Sequence, residues 1–422
     1  MAKIKLAIVG CGGMGHRHLF GLNELQRAGW EHFELVGACD PVGANADSLA
    51  DQAAEFFGSR PTVVSDLDQL AALGVEAVDV TTTPRSHHTI AAAALAHGWH
   101  TMIEKPVGLT VRASNLIRQA ADASGCVLSV AENYRRDPIN RLAKALLAAG
   151  VIGTPRLLIH HSIDGGDQML ISVWRHQKDQ SGVLIDVGVH YADMIEYLLG
   201  QVVQVAAQTR LHEPIRKNPA AGGGTPTANP AGVYGRWQKE MPATFAATAE
   251  DAVYATLVFK SGLVGQYIED HAGHGPGLWA RQIYGSAGSI SLPVDRSGGK
   301  IGLHIAGRGE IRVADLLDLV PDFRLDAVTA SLFGGERLAE YHFSFAETDR
   351  KLLAVEYADL AEAIRGRHAP EVDAEQGARS VAIAYALLES GALGRPVTVA
   401  EVLAEKIGDY QRSIDEGLNY EQ

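Results

Sequence analysis

The chain has only three cysteines in 422 residues, and none has metal-ligand spacing. Cys11, Cys39 and Cys126 lie in or beside apolar strand candidates, which points to reduced, buried thiols and a cytoplasmic location. Basic residues are also short: 37 against 50 acidic, a formal net charge of −13. That balance argues against nucleic acid and against an anionic membrane surface as partners. Long apolar runs are missing too. The opening run, Leu6 to Val9, is four residues, too short for a secretory leader or a membrane span. There are no internal repeats or low-complexity stretches, and the length fits two domains.

A glycine loop stands at the start: Gly10-Cys11-Gly12-Gly13-Met14-Gly15, after the β-branched run Ile4 to Val9. The run reads as a buried parallel strand. Gly10 permits a sharp turn, Gly12 lets backbone approach a pyrophosphate, and Gly15 lets the next helix pack close to the strand. A helix starting near Gly13 points its first N–H groups at phosphates. A second strand, Phe33 to Cys39, ends at Asp40, 25 residues after Gly15 (40 − 15). A carboxylate there accepts hydrogen bonds from a ribose diol and repels a 2′-phosphate, so NAD is expected over NADP. A turn before Pro41 is the other role open to Asp40.

Strand and helix alternate as far as residue 130, the doubly wound pattern of a Rossmann domain. Helices are expected at 44–57, 67–73, 86–97 and 114–124, and strands at 62–64, 75–80, 100–103 and 127–130. Ligands bind beyond the carboxyl ends of such strands, which puts Thr81-Thr82-Thr83-Pro84 and Glu104-Lys105-Pro106 on the cofactor side. Lys105 lies 90 residues after Gly15 (105 − 15).

After Ala131 the pattern changes. A helix at 139–149 and strands at 155–163, 202–210, 252–259, 263–269, 281–284 and 289–292, several joined by short glycine links, suggest a largely antiparallel sheet. The second domain is expected to span 131–422, with helices near 348–391 that can pack back on the first. Residues 213–235, with four prolines and a triple glycine, read as an irregular excursion. Residues 293–345 read as short strands with a turn of helix at 313–319.

A helix expected over 182–199 carries the second chemical cluster. Asp186 and His190 are four apart, and His190 and Asp193 three apart, so one helical face holds all three. Oxidising a carbinol needs a base for the hydroxyl proton, and histidine titrates in that range. Asp186 can orient it, while Lys105 can polarise the oxygen. A core histidine on an acidic helix start is the competing explanation. The segment His271 to Trp279 reads as a loop in which His271 and His274 can donate to sugar hydroxyls and Trp279 can stack on a ring. Tyr134, His160, His161, Trp174 and Arg175 are further candidates, with packing as the other role open to the aromatics.

The ordered set resembles the Gfo/Idh/MocA family, named for glucose–fructose oxidoreductase, inositol dehydrogenase and a rhizopine-catabolism protein. It comprises the glycine loop with His18, Thr83-Pro84 with His88, Glu104-Lys105-Pro106, Asn133-Tyr134-Arg135 with Asp137-Pro138, Trp174-Arg175, Asp186-xxx-His190-xx-Asp193, and Ile283 to Ser289. The resemblance covers most of the chain. It implies a Rossmann domain plus an α/β domain with an open, mostly antiparallel sheet, whose face serves as the subunit interface in homo-oligomers (dimers or tetramers). It assigns catalysis to Lys105, Asp186 and His190. Cofactor binding falls to Gly10, Gly12, Gly13, Met14, Gly15, Asp40, Thr82, Pro84, His88, Glu104 and Lys105. Substrate contact falls to Lys105, Tyr134, Arg135, Trp174, Arg175, Asp186, His190 and Asp193, to which His274 and Trp279 are added from their loop.

The activity implied is NAD-dependent oxidation of a secondary hydroxyl on a sugar, sugar derivative or cyclitol. A redox-neutral glycosidase or sugar oxidoreductase with tightly bound NAD is the alternative, motivated by the long loops. A non-catalytic NAD-responsive sensor is a third reading, which the complete catalytic set disfavours.

Overall fold

The structure, a computed structural model, describes residues 2–226, 228–418 and 420. Two compact units emerge. One comprises residues 1–133, 349–379 and 418–422, and the other 134–348 and 380–417. The segment 349–379 thus groups with the first unit, not with the remainder of 131–422.

The first unit is built on six parallel strands: β1 (Ile4–Val9), β2 (Phe33–Cys39), β3 (Thr62–Val64), β4 (Ala77–Val80), β5 (His100–Glu104) and β6 (Leu128–Ala131). Their order is β3-β2-β1-β4-β5-β6. The order reverses between β1 and β4, so the ligand crevice of such a sheet opens at their carboxyl ends. Helices α1 (Gly13–Arg27), α2 (Gly43–Phe57), α3 (His87–Ala96) and α4 (Val111–Ser124) alternate with the strands. Residues 68–73, expected as α-helix, form a 3-10 segment stopped by Gly74 at φ 67°. Helix α1 buries Leu19, Leu22 and Leu25. At Gly21 a Cβ would stand 2.4 Å from Leu353 Cβ, so glycine permits the close approach of the helix Phe345–Ile364. On the same helix Tyr357 is fully buried and meets Phe33 edge-on at 5.7 Å.

The second unit holds a nine-stranded sheet. Its chain-order elements are β7 (Pro155–Gly165), β8 (Val202–Arg210), β9 (Ile215–Lys217), β10 (Thr244–Ala246), β11 (Ala252–Phe259), β12 (Val264–Gly273), β13 (Leu278–Gly285), β14 (Gly288–Leu292), β15 (Gly302–Ile305), β16 (Gly309–Ile311) and β17 (Val397–Thr398). The large sheet runs β16-β15-β14-β13-β7-β12-β11-β8-β17, and β9 pairs with β10 apart from it. Every neighbouring pair is antiparallel except β12 with β7. Strand β11 shows the two-sided pattern: Val253, Ala255, Leu257 and Phe259 are buried, while Tyr254, Thr256 and Val258 are partly exposed. Helices α5 (Pro138–Ala148), α6 (Val183–Asp186) and α7 (Gly188–Leu199) complete the parts that matter for function.

Four expectations are corrected here. The excursion 213–235 contains regular structure at β9. It is pinned by the fully buried Arg216, whose guanidinium donates to the carbonyls of Gly166 and His271 and to Asp251. The segment His271 to Trp279 is mostly strand, because β12 and β13 both continue their pairing with β7; only His274 to Gly277 lies outside them. The single helix expected at 182–199 is two, separated at Val187, where the ladder restarts with His190 N–H donating to Val187 O at 3.0 Å. Cys11 and Cys39 are buried, but Cys126 is partly exposed. Among the described residues no helix is long and apolar enough to cross a membrane.

Candidate active site

In the first unit the glycine loop has the geometry a dinucleotide requires. Gly10 has φ 98°, and a Cβ there would meet Thr82 at 2.7 Å. At Gly15 a Cβ would fall 2.4 Å from Gly10 O, whereas at Gly12 it would meet nothing within 4 Å. Two glycines are therefore set by close packing, and Gly12 borders open space. No side chain caps the amino terminus of α1 at Gly12, and a helix start of this kind suits an anion. Asp40 follows β2 and accepts from the backbone N–H of Cys11 and of Val42, each at 2.8 Å. One carboxylate thus braces the glycine loop, with lone pairs remaining for a diol. These residues fit NAD.

Beside the loop, Thr81 Oγ1 donates to Gly10 O at 2.6 Å, joining the ends of β1 and β4. Pro84 opens a short 3-10 turn after Thr83. His87, which the sequence reading passed over, is buried between Pro106 O at 2.9 Å and Thr82 O at 3.2 Å. It ties the Thr82 segment to the Lys105–Pro106 segment, and burial lowers its basicity despite the carbonyl contacts. His88 is also buried and lies 5.2 Å from the Tyr420 ring.

Glu104 ends β5, and the Lys105–Pro106 bond is cis. Behind it stands a network that spacing did not reveal. Fully buried His18 bonds Asp79 at 2.9 Å and Glu104 at 3.0 Å, and Tyr357 donates to the same Asp79 oxygen at 2.5 Å. Burial alone would lower the His18 imidazole, but Asp79 and Glu104 outweigh it and raise it well above 6.5. Burial alone would raise Glu104. The hydrogen bond and charge of His18, with Lys105 and Arg17, hold it down at about 2. Glu104 also accepts from the Lys105 N–H at 3.0 Å, so this network fixes the backbone that carries the lysine.

In the second unit the chemistry gathers at the start of α7. A Cβ at Gly188 would fall 3.0 Å from Glu269 Oε2, so glycine admits the carboxylate to the positive end of the helix. Glu269 accepts from Tyr267 Oη at 2.5 Å and bonds His271 at 2.8 Å. Burial would lower His271, but Glu269 raises it. His190 and Tyr134 lie face to face, centroids 4.1 Å apart and planes within 3°.

The nearby carboxylates already have partners. Arg175 Nε donates to Asp186 Oδ2 at 2.8 Å and stacks on Trp174 at 4.1 Å. Arg135 grips Asp193 with two bonds, 2.8 and 2.5 Å. Four expected substrate-contact residues are thus engaged with one another as ion pairs. The expected shared helical face gives way to Asp186 at the end of α6 and His190 in the first turn of α7.

Of the remaining candidates, Trp279 joins an aromatic group with His160 and Tyr191, at 5.4 and 5.9 Å. Tyr191 also bonds Ser162 at 3.1 Å. His160 is fully buried and held neutral by burial and by Arg281, well below 6.5. His274 is 64% exposed and bonds Glu213 at 2.8 Å. Tyr191, Glu269, Arg281 and Asp295 carry no local signal: each is an ordinary strand, helix or turn residue until the sheet closes.

Comparison with known proteins matches two family models to the chain in order. The model of an oxidoreductase family's NAD-binding Rossmann fold matches residues 4–132, and that of its C-terminal α/β domain matches 144–399. Levoglucosan dehydrogenase of Pseudarthrobacter phenanthrenivorans is 29% identical over 303 residues, 70% of this chain and 75% of that one. D-glucoside 3-dehydrogenase of Escherichia coli is 24% identical over 62% of this chain and 68% of its own length. scyllo-Inositol 2-dehydrogenase (NAD(+)) of Bacillus subtilis is 25% identical over 50% and 58%. Among solved structures, levoglucosan dehydrogenase with NADH and L-sorbose superposes with a TM-score of 0.74 at 23% identity, covering 95% of this chain and all of that one. With both domain models matched in order and a glycine loop shaped for a dinucleotide, the chain is an NAD-dependent oxidoreductase of the Gfo/Idh/MocA family.

Proposed function

We propose that the protein is a dehydrogenase that oxidises a secondary hydroxyl of a sugar, sugar derivative or cyclitol, with Lys105, Asp186 and His190 as its catalytic residues. One observation carries this reading. At the start of α7, Asp186 and Asp193 are each neutralised by an arginine, which leaves the His190 imidazole, held flat by Tyr134, as the group in that cluster suited to proton exchange.

The roles follow from the contacts. His190 takes the hydroxyl proton. Asp186, anchored by Arg175 at the end of α6, orients the imidazole four residues on. Lys105 stabilises developing negative charge on the carbinol oxygen. Glu104 and His18 hold the lysine's backbone. Gly10, Gly12, Gly13, Met14, Gly15 and Asp40 would hold the dinucleotide, with Thr82, Pro84 and His88 beside it. NAD, when bound, supplies the acceptor for the two electrons and the hydrogen leaving the carbinol carbon. The names of the relatives, levoglucosan, glucoside and inositol dehydrogenases, support a polyhydroxylated ring as substrate.

The test is incubation with NAD and a panel of free sugars, glycosides, inositols and sugar acids, following NADH absorbance and products together. NADH accumulating over many turnovers is the expected result. Product released without net NADH would replace the reading by a redox-neutral one. Lys105→Ala should abolish turnover and retain NAD binding; retained turnover would remove Lys105 from the mechanism.

A further inference from the structure

The second unit contains a cleft of about 370 Å³, lined in part by Tyr134 and Trp279. Its walls are aromatic: Tyr134, Tyr191, Trp279, Phe343 and Phe345. Its polar side is the turn after β14, Asp295 to Ser297. The volume lies within the usual range for small-molecule sites, roughly 300–1,000 Å³.

Asp295 gives the cleft chemical direction. Its side chain is 3% exposed, and Oδ1 accepts from Arg281 at 2.6 Å and from Asn140 at 2.9 Å. Its other oxygen, Oδ2, is buried with no hydrogen-bond partner, as is Nη2 of the fully buried Arg281. A buried carboxylate oxygen left without a donor is costly, and its natural complement is a ligand hydroxyl. Behind it, the Arg281 guanidinium lies 4.9 Å from the Trp279 ring. A carboxylate acceptor between aromatic faces is how a hydroxylated ring is recognised: C–H faces on the aromatics, a hydroxyl on Asp295, with Arg281 bracing the carboxylate from behind.

The cleft is also tied to His190. Tyr134 stacks on His190 at 4.1 Å, and the Arg296 guanidinium lies over the Tyr134 ring at 4.6 Å and over Phe345 at 4.9 Å. Two groups this close cannot share one face of Tyr134, so His190, Tyr134, Arg296 and Phe345 form a column. Arg296 holds it from a left-handed backbone conformation, φ 61°, a strain that persists where surrounding structure maintains it. The cleft and the histidine therefore share Tyr134 as a common wall. Phe345 is 44% exposed and Val294 50%, an apolar rim on the turn side of the cleft.

We infer that this cleft is a subsite for a second hydroxylated ring, so that the substrate is a glycoside of disaccharide size, with its oxidised ring at His190 and its second ring against Trp279, Phe345 and Asp295. This rests on the sugar reading above and narrows it. An apolar aglycone would fill the volume and leave Asp295 Oδ2 unpaired.

The test compares methyl glucosides, phenyl glucosides, maltose and cellobiose by calorimetry, with NAD present, and by kcat/KM. Wild type should bind a disaccharide at least about tenfold more tightly than the methyl and phenyl glucosides, one decade being roughly 1.4 kcal/mol. Phe345→Ala, at an exposed position tolerant of change, should cut the disaccharide-to-methyl-glucoside ratio about tenfold. Asp295→Asn should cut it as well, and its folding is checked by circular dichroism. A phenyl glucoside equal to or better than both disaccharides, or a ratio unmoved by Phe345→Ala, overturns the subsite. Phe345-dependent disaccharide binding without NADH formation keeps the subsite and refutes the dehydrogenase reading. Turnover of single-ring sugars with no disaccharide advantage does the reverse.

Discussion

Tyr134 and His190 stack with centroids 4.1 Å apart and planes 3° from parallel, although 56 residues (190 − 134) separate them. The stack restricts the imidazole to one plane, and proton transfer depends on orientation. Tyr134→Ala should lower kcat about 10- to 100-fold, the range expected for misplacement of a reacting group by an ångström. Tyr134→Phe keeps the ring and should retain most of the rate. Steady-state kinetics of both variants decide this: equal rates would show that the stack positions nothing.

Arg175 and Asp186 form a buried pair, 4% and 6% exposed. Removing the arginine strips the buried carboxylate of its guanidinium. Arg175→Ala should cost about 3–5 kcal/mol of stability, measured from urea midpoints. Pairing the change with Asp186→Asn should recover part of the loss, because the buried charge goes too. Strictly additive losses would show that the pair is not coupled.

The His18–Glu104 bond makes stability depend on pH. The His18 pKa is raised well above 6.5, so its contribution is full below 6.5 and is lost as pH rises through the raised value. Glu104 is lowered from 4.5 to about 2, so its contribution is full above 4.5 and is lost as pH falls toward 2. The stability difference between wild type and His18→Gln should be largest near neutral and mildly acidic pH and shrink on the alkaline side. Denaturation at pH 6, 8 and 9.5 tests it; a constant difference would contradict a charged His18.

His176 lies in the second unit, and its Nε2 accepts from the Leu170 N–H at 2.9 Å. Burial first, then Arg216, His271 and Arg175, push it from 6.5 to about 3. Stability tied to this neutral imidazole is present above 6.5 and lost as pH falls toward 3. Replacing it by Gln, which cannot titrate, should flatten the acid limb of the stability curve. An unchanged acid limb would show that other groups drive acid unfolding.

Asp40 holds the glycine loop through Cys11 and Val42 N–H groups. Asp40→Asn keeps an acceptor but removes the charge that would repel a 2′-phosphate. The preference for NAD over NADP should fall about tenfold or more, on the scale of one lost charged contact, measured as the ratio of dissociation constants. An unchanged ratio would assign Asp40 to loop architecture alone.

Much of the fold was legible because it is written locally. The run Ile4 to Val9 is buried at five of six positions, as its β-branched content implies, and Gly10 occupies a positive φ that its place in the loop anticipates. The strands at Val202–Arg210 and Ala252–Phe259 begin and end where alternation places them. Helix breaks were less visible. Val187 divides α6 from α7 although nothing about valine marks a break, and the reason lies at Gly188, where Glu269 approaches from a distant strand. Strand length at His271 to Gly273 was also hidden, because pairing with β7 extended it past residues that read as a loop.

By itself the sequence determined the Rossmann half, the change to an antiparallel domain, and the short motifs around Gly10, Lys105 and His190, since periodicity and special backbone geometry act over a few residues. Tertiary structure decided which charges meet. Asp193 found Arg135 58 residues away, Asp79 found His18 61 residues away, and Asp295 found Arg281 across a hairpin. It also decided that Tyr134, Tyr191, Trp279 and Phe345 enclose one cleft. The physical reason is that an ion pair or a cleft depends on positions in space, and those follow from sheet order and register rather than from neighbouring residues.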